Sequence, residues 1–167
     1  MDVFIYENDL TKEKVSHLTP DRKTVRAIVR RGEEYALAYF NKYQLHGFIG
    51  GGIELGEDEK TALTREVLEE SGFKVDVKRR VCSINSYAAR NSKIEYWHST
   101  YYLCDLVSSG HPLNLEDYEK EFGLEIKWYK RDEVLNIFEN TQSSHPFGAS
   151  LYQRSITAFK KLLELGD

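Results

Sequence analysis

Cysteine, proline and methionine are all scarce in this chain of 167 residues, which has two, three and one of them. Cys82 and Cys104 form no CxxC pair, so neither a zinc pattern nor a disulfide framework can be built from them. Each lies in a stretch that reads as a strand, and both are expected to be small buried residues. No apolar run is long enough to span a bilayer. The opening Met1-Asp2-Val3-Phe4-Ile5-Tyr6-Glu7 lacks the basic start and apolar stretch of a signal peptide, so cytoplasmic residence without membrane contact is the expectation. Low-complexity tracts and internal repeats are absent as well. What is present, 41% hydrophobic and 13% aromatic residues with charge mixed among them, is enough to bury the core of one domain over residues 1–167 but not of two.

The net charge of −4 is unevenly placed. Between Gly51 and Phe73 stand Glu54, Glu57, Asp58, Glu59, Glu66, Glu69 and Glu70 against Lys60 and Arg65, a local balance of −5 that leaves the remaining residues at +1. The acidity thus belongs to one segment, and a metal cation is its natural counter-charge. The rest of the chain has no basic stripe, which argues against long nucleic acid as a substrate.

Hydrophobic patterning gives the order of elements. A short extended start, Val3 to Tyr6, leads into a polar stretch, so residues 1–23 read as a small extension of the same unit. Val25–Arg30 and Tyr35–Phe40 flank a Gly-containing turn and predict a hairpin. Gly50-Gly51-Gly52 is expected to break regular structure, and a helix from about Asp58 to Ser71 follows, closed by Gly72 as a left-handed cap. Lys74–Tyr87 and Ile94–Val107 predict a second hairpin, then a loop from Ser108 to Phe122, a strand Leu124–Tyr129, and helices Asp132–Phe138 and Ser150–Leu165. The fold class is α/β, a mixed sheet with helices on its faces.

On the Asp58–Ser71 helix, with Ala62 set to zero, Glu69 falls at about −20°, Glu66 at about 40° and Glu70 at about 80°, and Leu63, Val67 and Thr64 lie beyond them. One face carries the carboxylates, its neighbour faces the core, and Ala62 leaves room in the middle of the acidic face. Like charges at i, i+3 and i+4 cost about 0.2–0.5 kcal/mol per close pair, so folding alone does not favour them. Hard oxygen ligands converging from one face suit magnesium or manganese. The competing reading is a solvated acidic face with local pairs such as Arg65 to Glu69.

The surrounding residues decide between the two. Gly51, Glu57, Arg65-Glu66-Val67, Glu69-Glu70 and Gly72-Phe73 spell G-x5-E-x7-R-E-U-x-E-E-x-G-U, where U is apolar, over 23 residues. The segment therefore resembles the box of the Nudix hydrolases at every position, and the order of the remaining elements is similar to that family's α/β/α sandwich around a mixed sheet. One departure is Ile49, where many members have proline. The resemblance implies Glu66, Glu69 and Glu70, with Glu57, as metal-site carboxylates. It also implies a catalytic set of Glu69, Glu70 and Arg65, with Arg65 holding the loop through an acidic partner such as Glu57. The cofactor implied is Mg2+ or Mn2+, and the substrate a small nucleoside diphosphate linked to a group X.

A general base is sought among Glu116, Asp117, Glu119 and Glu121, with Glu121 the choice and Glu125 second. Gly51 and Gly52 are expected to meet the substrate, and Phe48 to offer a stacking surface, as are Tyr87, Tyr96 or Trp97, although core packing is the commoner fate of aromatics. Arg90 and Lys93 at the hairpin tip are further phosphate candidates. The alternatives are a non-catalytic nucleotide-binding sensor and an isomerase of allylic diphosphates, the latter lacking its cysteine and glutamate setting. Oligomeric state, a homodimer included, is not readable from the chain.

Overall fold

β2 (Arg22–Arg31), rich in β-branched and small apolar residues, occupies the centre of an eight-stranded sheet and is paired along both edges. The computed structural model describes residues 1–167. The other strands are β1 (Asp2–Tyr6), β3 (Glu34–Phe40), β4 (Leu45–Gly47), β5 (Ile49–Gly52), β6 (Lys74–Arg90), β7 (Lys93–Ser108) and β8 (Leu124–Lys130). They run in the order β1-β6-β7-β2-β3-β4, with β5 on β2 and β8 on β3. β1 with β6 and β2 with β7 are parallel, and the remaining pairs are antiparallel, so the sheet is mixed.

Helices cover both faces. α2 (Glu59–Ser71) packs Ala62, Leu63 and Val67 against Val25, Ala27, Val29 and Cys104. On the other face α4 (Arg131–Asn140) and α5 (Gly148–Glu164) enclose Ile28, Leu37, Phe48, Tyr101 and Leu103 with Phe138, Phe159 and Leu162. This is the α/β/α arrangement expected from the element order. The period-2 alternation of β2 sends Val25, Ala27 and Val29 to the α2 side and Thr24, Arg26 and Ile28 to the α5 side. Cys82 and Cys104 are both free and fully buried, and burial pushes their thiols up to about 11 and about 12. No helix is long and apolar enough to cross a membrane.

Several local expectations are corrected. The glycine run does not break regular structure: Ile49 to Gly52 pair with Ala27 to Thr24 as β5. A sheet can use glycines where another group must come close to its backbone. A Cβ on Gly50, whose φ is +150°, would run into the Val25 carbonyl oxygen, and one on Gly51 would stand 2.6 Å from the Glu66 carboxyl carbon. The polar stretch after β1 holds a one-turn helix, α1 (Lys12–Val15), whose Val15 is buried. The expected loop to Phe122 ends in α3 (Asp117–Phe122), stabilised by a capping box in which the Glu116 amide donates to Glu119 Oε2 at 2.8 Å. The second hairpin extends further than expected, to a two-residue turn of Asn91 and Ser92, both at positive φ.

Candidate active site

Asp58 caps α2 by accepting from the Thr61 amide at 2.8 Å, and Gly72 ends it at φ +68°. Gly72 also has to lack a side chain, because the His111 carbonyl oxygen occupies the place of its Cβ. The first turn is fixed to the sheet by Glu59, which accepts from Thr100 Oγ1 at 3.0 Å and from the Tyr102 hydroxyl at 2.5 Å. These contacts set the rotation of the helix, and the rotation departs from expectation. Ala62 is fully buried and opens no approach on an exposed acidic face. The side of α2 that bears Glu66 and Glu70 is turned onto the glycine strand β5, so both carboxylates are buried, at 9% and 5% exposure.

Glu70 Oε2 accepts from the Gly50 amide at 3.1 Å, and the Glu66 carboxyl lies against Gly51, so two glycines form the floor beneath two carboxylates. Burial raises both of their pKa values, Glu70's well above the usual carboxylate range, and outweighs the attraction of Arg26 for each and of Arg65 for Glu66. Two desolvated carboxylates without a full counter-charge would be relieved by a cation.

Arg65 organises the other acids. Its Nε and Nη2 each donate to Glu57 at 2.9 Å, a two-pronged pair, and Nη2 also reaches the Gly52 carbonyl at 3.1 Å. Nη1 donates to Glu66 at 2.8 Å and to Glu69 at 3.3 Å. The loop between β5 and α2 is thereby tied to the helix, and the pair holds Glu57 below the usual carboxylate range. With Arg65 between them, Glu57, Glu66 and Glu69 converge on its guanidinium, and no three carboxylates are gathered about one empty point. The donors that could hold a metal are Glu66 and Glu70, with Glu69, 29% exposed, at the rim.

The loop acids separate by position. Glu121 is exposed and paired with Lys42 at 2.6 Å, away from the helix carboxylates. Glu125 is exposed on β8 beside Lys127. Glu119 is the buried one, at 3% exposure, and lies near enough to Glu70 for their charges to oppose each other. The loop that carries it is drawn over the end of α2 by the Asn114 amide donating to the Glu69 carbonyl and the His111 amide to that of Gly72.

Phe48 is 2% exposed, and its ring packs on Tyr101, Phe138 and Phe159, so it chiefly serves the core and meets the cavity beside Gly50 only at its edge. Tyr87 is likewise buried, stacked between Tyr6 and Tyr96. Arg90 is occupied by Glu7 and Glu95, and Lys93 by Asp21.

Beside Glu70, Gly50 and Gly51 opens a cavity of about 210 Å³ that the sequence reading did not anticipate, lined also by Arg22, Arg26, Arg154, Trp97, Tyr118 and Phe147. Arg26 Nη1 donates to the carbonyls of Gly50 at 2.8 Å and Phe48 at 3.3 Å. The readable signal was Arg154, a cation on the apolar face of α5 between Leu151 and Ala158.

Comparisons with known proteins bear on this geometry. The family model described as NUDIX domain matches residues 20–151. The NAD-capped RNA hydrolase NudC of Escherichia coli O9:H4 (strain HS) is 30% identical over 108 residues, which are 64% of this chain and 38% of that protein. The chain thus spans well under half the length of the curated relatives it matches. Among solved structures, a NUDIX hydrolase from Nitrosomonas europaea superposes with a TM-score of 0.65 at 18% identity, covering 87% of this chain and 90% of the other. A UDP-X diphosphatase superposes with a TM-score of 0.61 at 18% identity, covering 95% and 74%. At these identities the superpositions speak for the fold.

Proposed function

The chain belongs to the NUDIX domain family, and from that premise we propose that it is a divalent-metal-dependent pyrophosphohydrolase acting on nucleoside diphosphates linked to a second group. The observation that carries the reading is the pair of buried carboxylates, Glu66 and Glu70, set on a glycine strand beside an arginine-lined cavity. The names of the relatives agree with it, since one acts on NAD-capped RNA and another is a UDP-X diphosphatase.

Glu66 and Glu70, with Glu69 at the rim, would hold Mg2+ or Mn2+; hard oxygen donors suit either, and burial favours a cation that removes their mutual repulsion. When bound, the cation supplies Lewis-acid polarisation of the phosphoryl oxygens and lowers the pKa of a bound water. The groups of the chain itself divide the remaining tasks. Arg65 keeps Glu57 and the Gly52 carbonyl in register with the helix, which fixes the height of the floor beneath the phosphates. Arg26, held by two carbonyls and paired with no acid, faces the same place and would neutralise phosphoryl charge. In the hydrolysis a water oxygen bonds to phosphorus as the bridging P–O bond breaks, and the water proton passes to a carboxylate. Glu119 is the loop acid that stands close to Glu70, and we assign it that proton. Gly50 and Gly51 take part through backbone alone.

The test is phosphate release from a panel of nucleoside diphosphate derivatives, with and without Mg2+ or Mn2+, for wild type, Glu70→Gln, Glu119→Gln and Glu121→Gln. We expect activity to need the metal, to fall by about 10²-fold or more in the first two variants, and to persist in Glu121→Gln. Tight nucleotide binding without turnover in wild type would replace the enzyme reading with that of a sensor. Full turnover in Glu119→Gln would remove Glu119 from the chemistry.

A further inference from the structure

The cavity next to the carboxylates carries three arginines against a single acid, Glu70. Elsewhere on the chain the cations close to the site are already taken: Arg65 by Glu57, Arg90 by Glu7 and Glu95, Lys42 by Glu121. Arg22, Arg26 and Arg154 are different. Arg26 is held by two backbone carbonyls, and Arg22 lies over the Trp97 ring at 5.2 Å. Arg154 lies over the same ring at 5.4 Å and donates to the Ser150 hydroxyl at 3.1 Å. That hydroxyl in turn donates to Glu7, whose carboxylate is shared with Arg90, so no acid pairs with Arg154 directly.

Arg154 is only 9% exposed. A buried guanidinium without a partner carboxylate is costly, and burial alone already lowers its pKa. An anion arriving from outside would supply the missing counter-charge.

The three cations also lie in a row. Arg22 pairs in register with Trp97 and Arg26 with Tyr101, and Arg154 touches both ends of that interval, standing over Trp97 and near the Tyr101 hydroxyl. Arg26 is next to Gly50 in register, hence at the carboxylate end, and Arg22, four residues away on the same face, brings its Nη2 beside Gly52. Three guanidiniums in one cavity carry more positive charge than a single phosphate group can balance. We propose that Arg26, Arg154 and Arg22 form a polyphosphate-binding row that selects substrates whose group X itself carries phosphoryl charge over substrates whose X is a neutral sugar. The proposal rests on the diphosphate-cleaving reading of the carboxylate end and adds the substrate class to it.

Binding and turnover test the two layers separately. Inorganic tripolyphosphate is titrated into the full chain in EDTA, with wild type, Arg154→Gln, Arg154→Lys and Arg22→Gln compared by calorimetry, and thermal unfolding recorded for each. Wild type binds. Arg154→Gln binds about tenfold to a hundredfold more weakly, as expected for lost charge-assisted hydrogen bonds. Arg154→Lys lies between, because it keeps the charge and loses the fork. Should Arg154→Gln fail to fold, Arg22→Gln at the exposed rim carries the same test. Equal affinity across the folded variants, or no binding to wild type, overturns the row. With Mg2+ present, the ratio of kcat/KM for a nucleoside triphosphate to that for a nucleotide sugar of the same base falls by about tenfold or more in Arg154→Gln, mainly through KM. An unchanged ratio overturns the selectivity. If wild type hydrolyses neither substrate while tripolyphosphate binding still depends on Arg154, the hydrolase reading fails and the row stands.

Discussion

Replacing Arg65 by lysine keeps a positive charge and removes the planar fork, which makes it a sharp probe of how the acidic segment is held together. In the wild type Arg65 makes two 2.9 Å bonds to Glu57, one to the Gly52 carbonyl, and two to Glu66 and Glu69. A lysine reaches one or two of these from a single nitrogen. Charge-assisted hydrogen bonds are worth about 1.5–3 kcal/mol each when shielded and well under 1 kcal/mol at the surface. The Arg65 and Glu57 side chains are 23% and 10% exposed, nearer the shielded case, so the expected loss is about 2 kcal/mol. For a chain of this size that lowers Tm by about 4–8 °C in metal-free buffer, read by circular dichroism. Arg65→Met goes further, because Glu57, Glu66 and Glu69 then lose their shared cation. Magnesium should raise the Tm of Arg65→Met more than that of wild type, since the metal replaces part of the missing charge. A Tm for Arg65→Lys within 1 °C of wild type, or Arg65→Met no less stable than Arg65→Lys, would refute the argument that this one guanidinium secures the segment.

Two further outcomes follow from burial. Phe48→Ala removes a ring packed on three other aromatics and should cost about 3–5 kcal/mol by chemical denaturation, with KM nearly unchanged for variants that remain folded; a small stability loss with a large rise in KM would instead restore Phe48 as a stacking surface. His46 is bonded to the Tyr129 hydroxyl at 2.9 Å, and burial, assisted by Lys127, lowers its pKa from 6.5 to about 4. The folded state therefore favours the neutral ring, and the stability this confers is complete above about pH 6.5 and is lost as the pH falls towards 4. His46→Asn should flatten the decline of Tm across that window, and an unaltered slope would show that other groups cause it.

How much of the site was legible depended on whether its parts are local. The helix bearing the glutamates, its Asp58 and Gly72 caps and the Glu57–Arg65 tie all lie within 23 residues, where spacing translates directly into geometry. Glu119 and Glu121 differ by two positions in a stretch that reads as a loop, and only the helix α3 sets them about 200° apart. The capping box of α3 and the docking of its loop on α2 turn one inward and leave the other to Lys42. Phe48 stands two residues before the glycines and so invited a ligand role, yet the step between β4 and β5 turns its ring onto Tyr101, Phe138 and Phe159 in the core. The glycine run misled for a similar reason. Glycine's freedom usually signals a break in regular structure, whereas here the missing side chain of Gly50 lets β5 lie close on β2 and that of Gly51 leaves room for the Glu66 carboxylate.

By itself the sequence determined the order of the main strands and helices, the fold class and the acidic segment, because hydrophobic period and local spacing are properties of the chain near each residue. It also carried the family resemblance, through one contiguous pattern. Only the tertiary structure decided which way the carboxylate side of α2 faces, which loop acid stands by Glu70, and that Arg22, Arg26 and Arg154 line one cavity. Those three come from β2 and α5, at opposite ends of the chain. What brings them together is the pairing of β2 with β7 and the packing of α5 across the same face of the sheet, an arrangement of burial across the whole fold that no local pattern encodes.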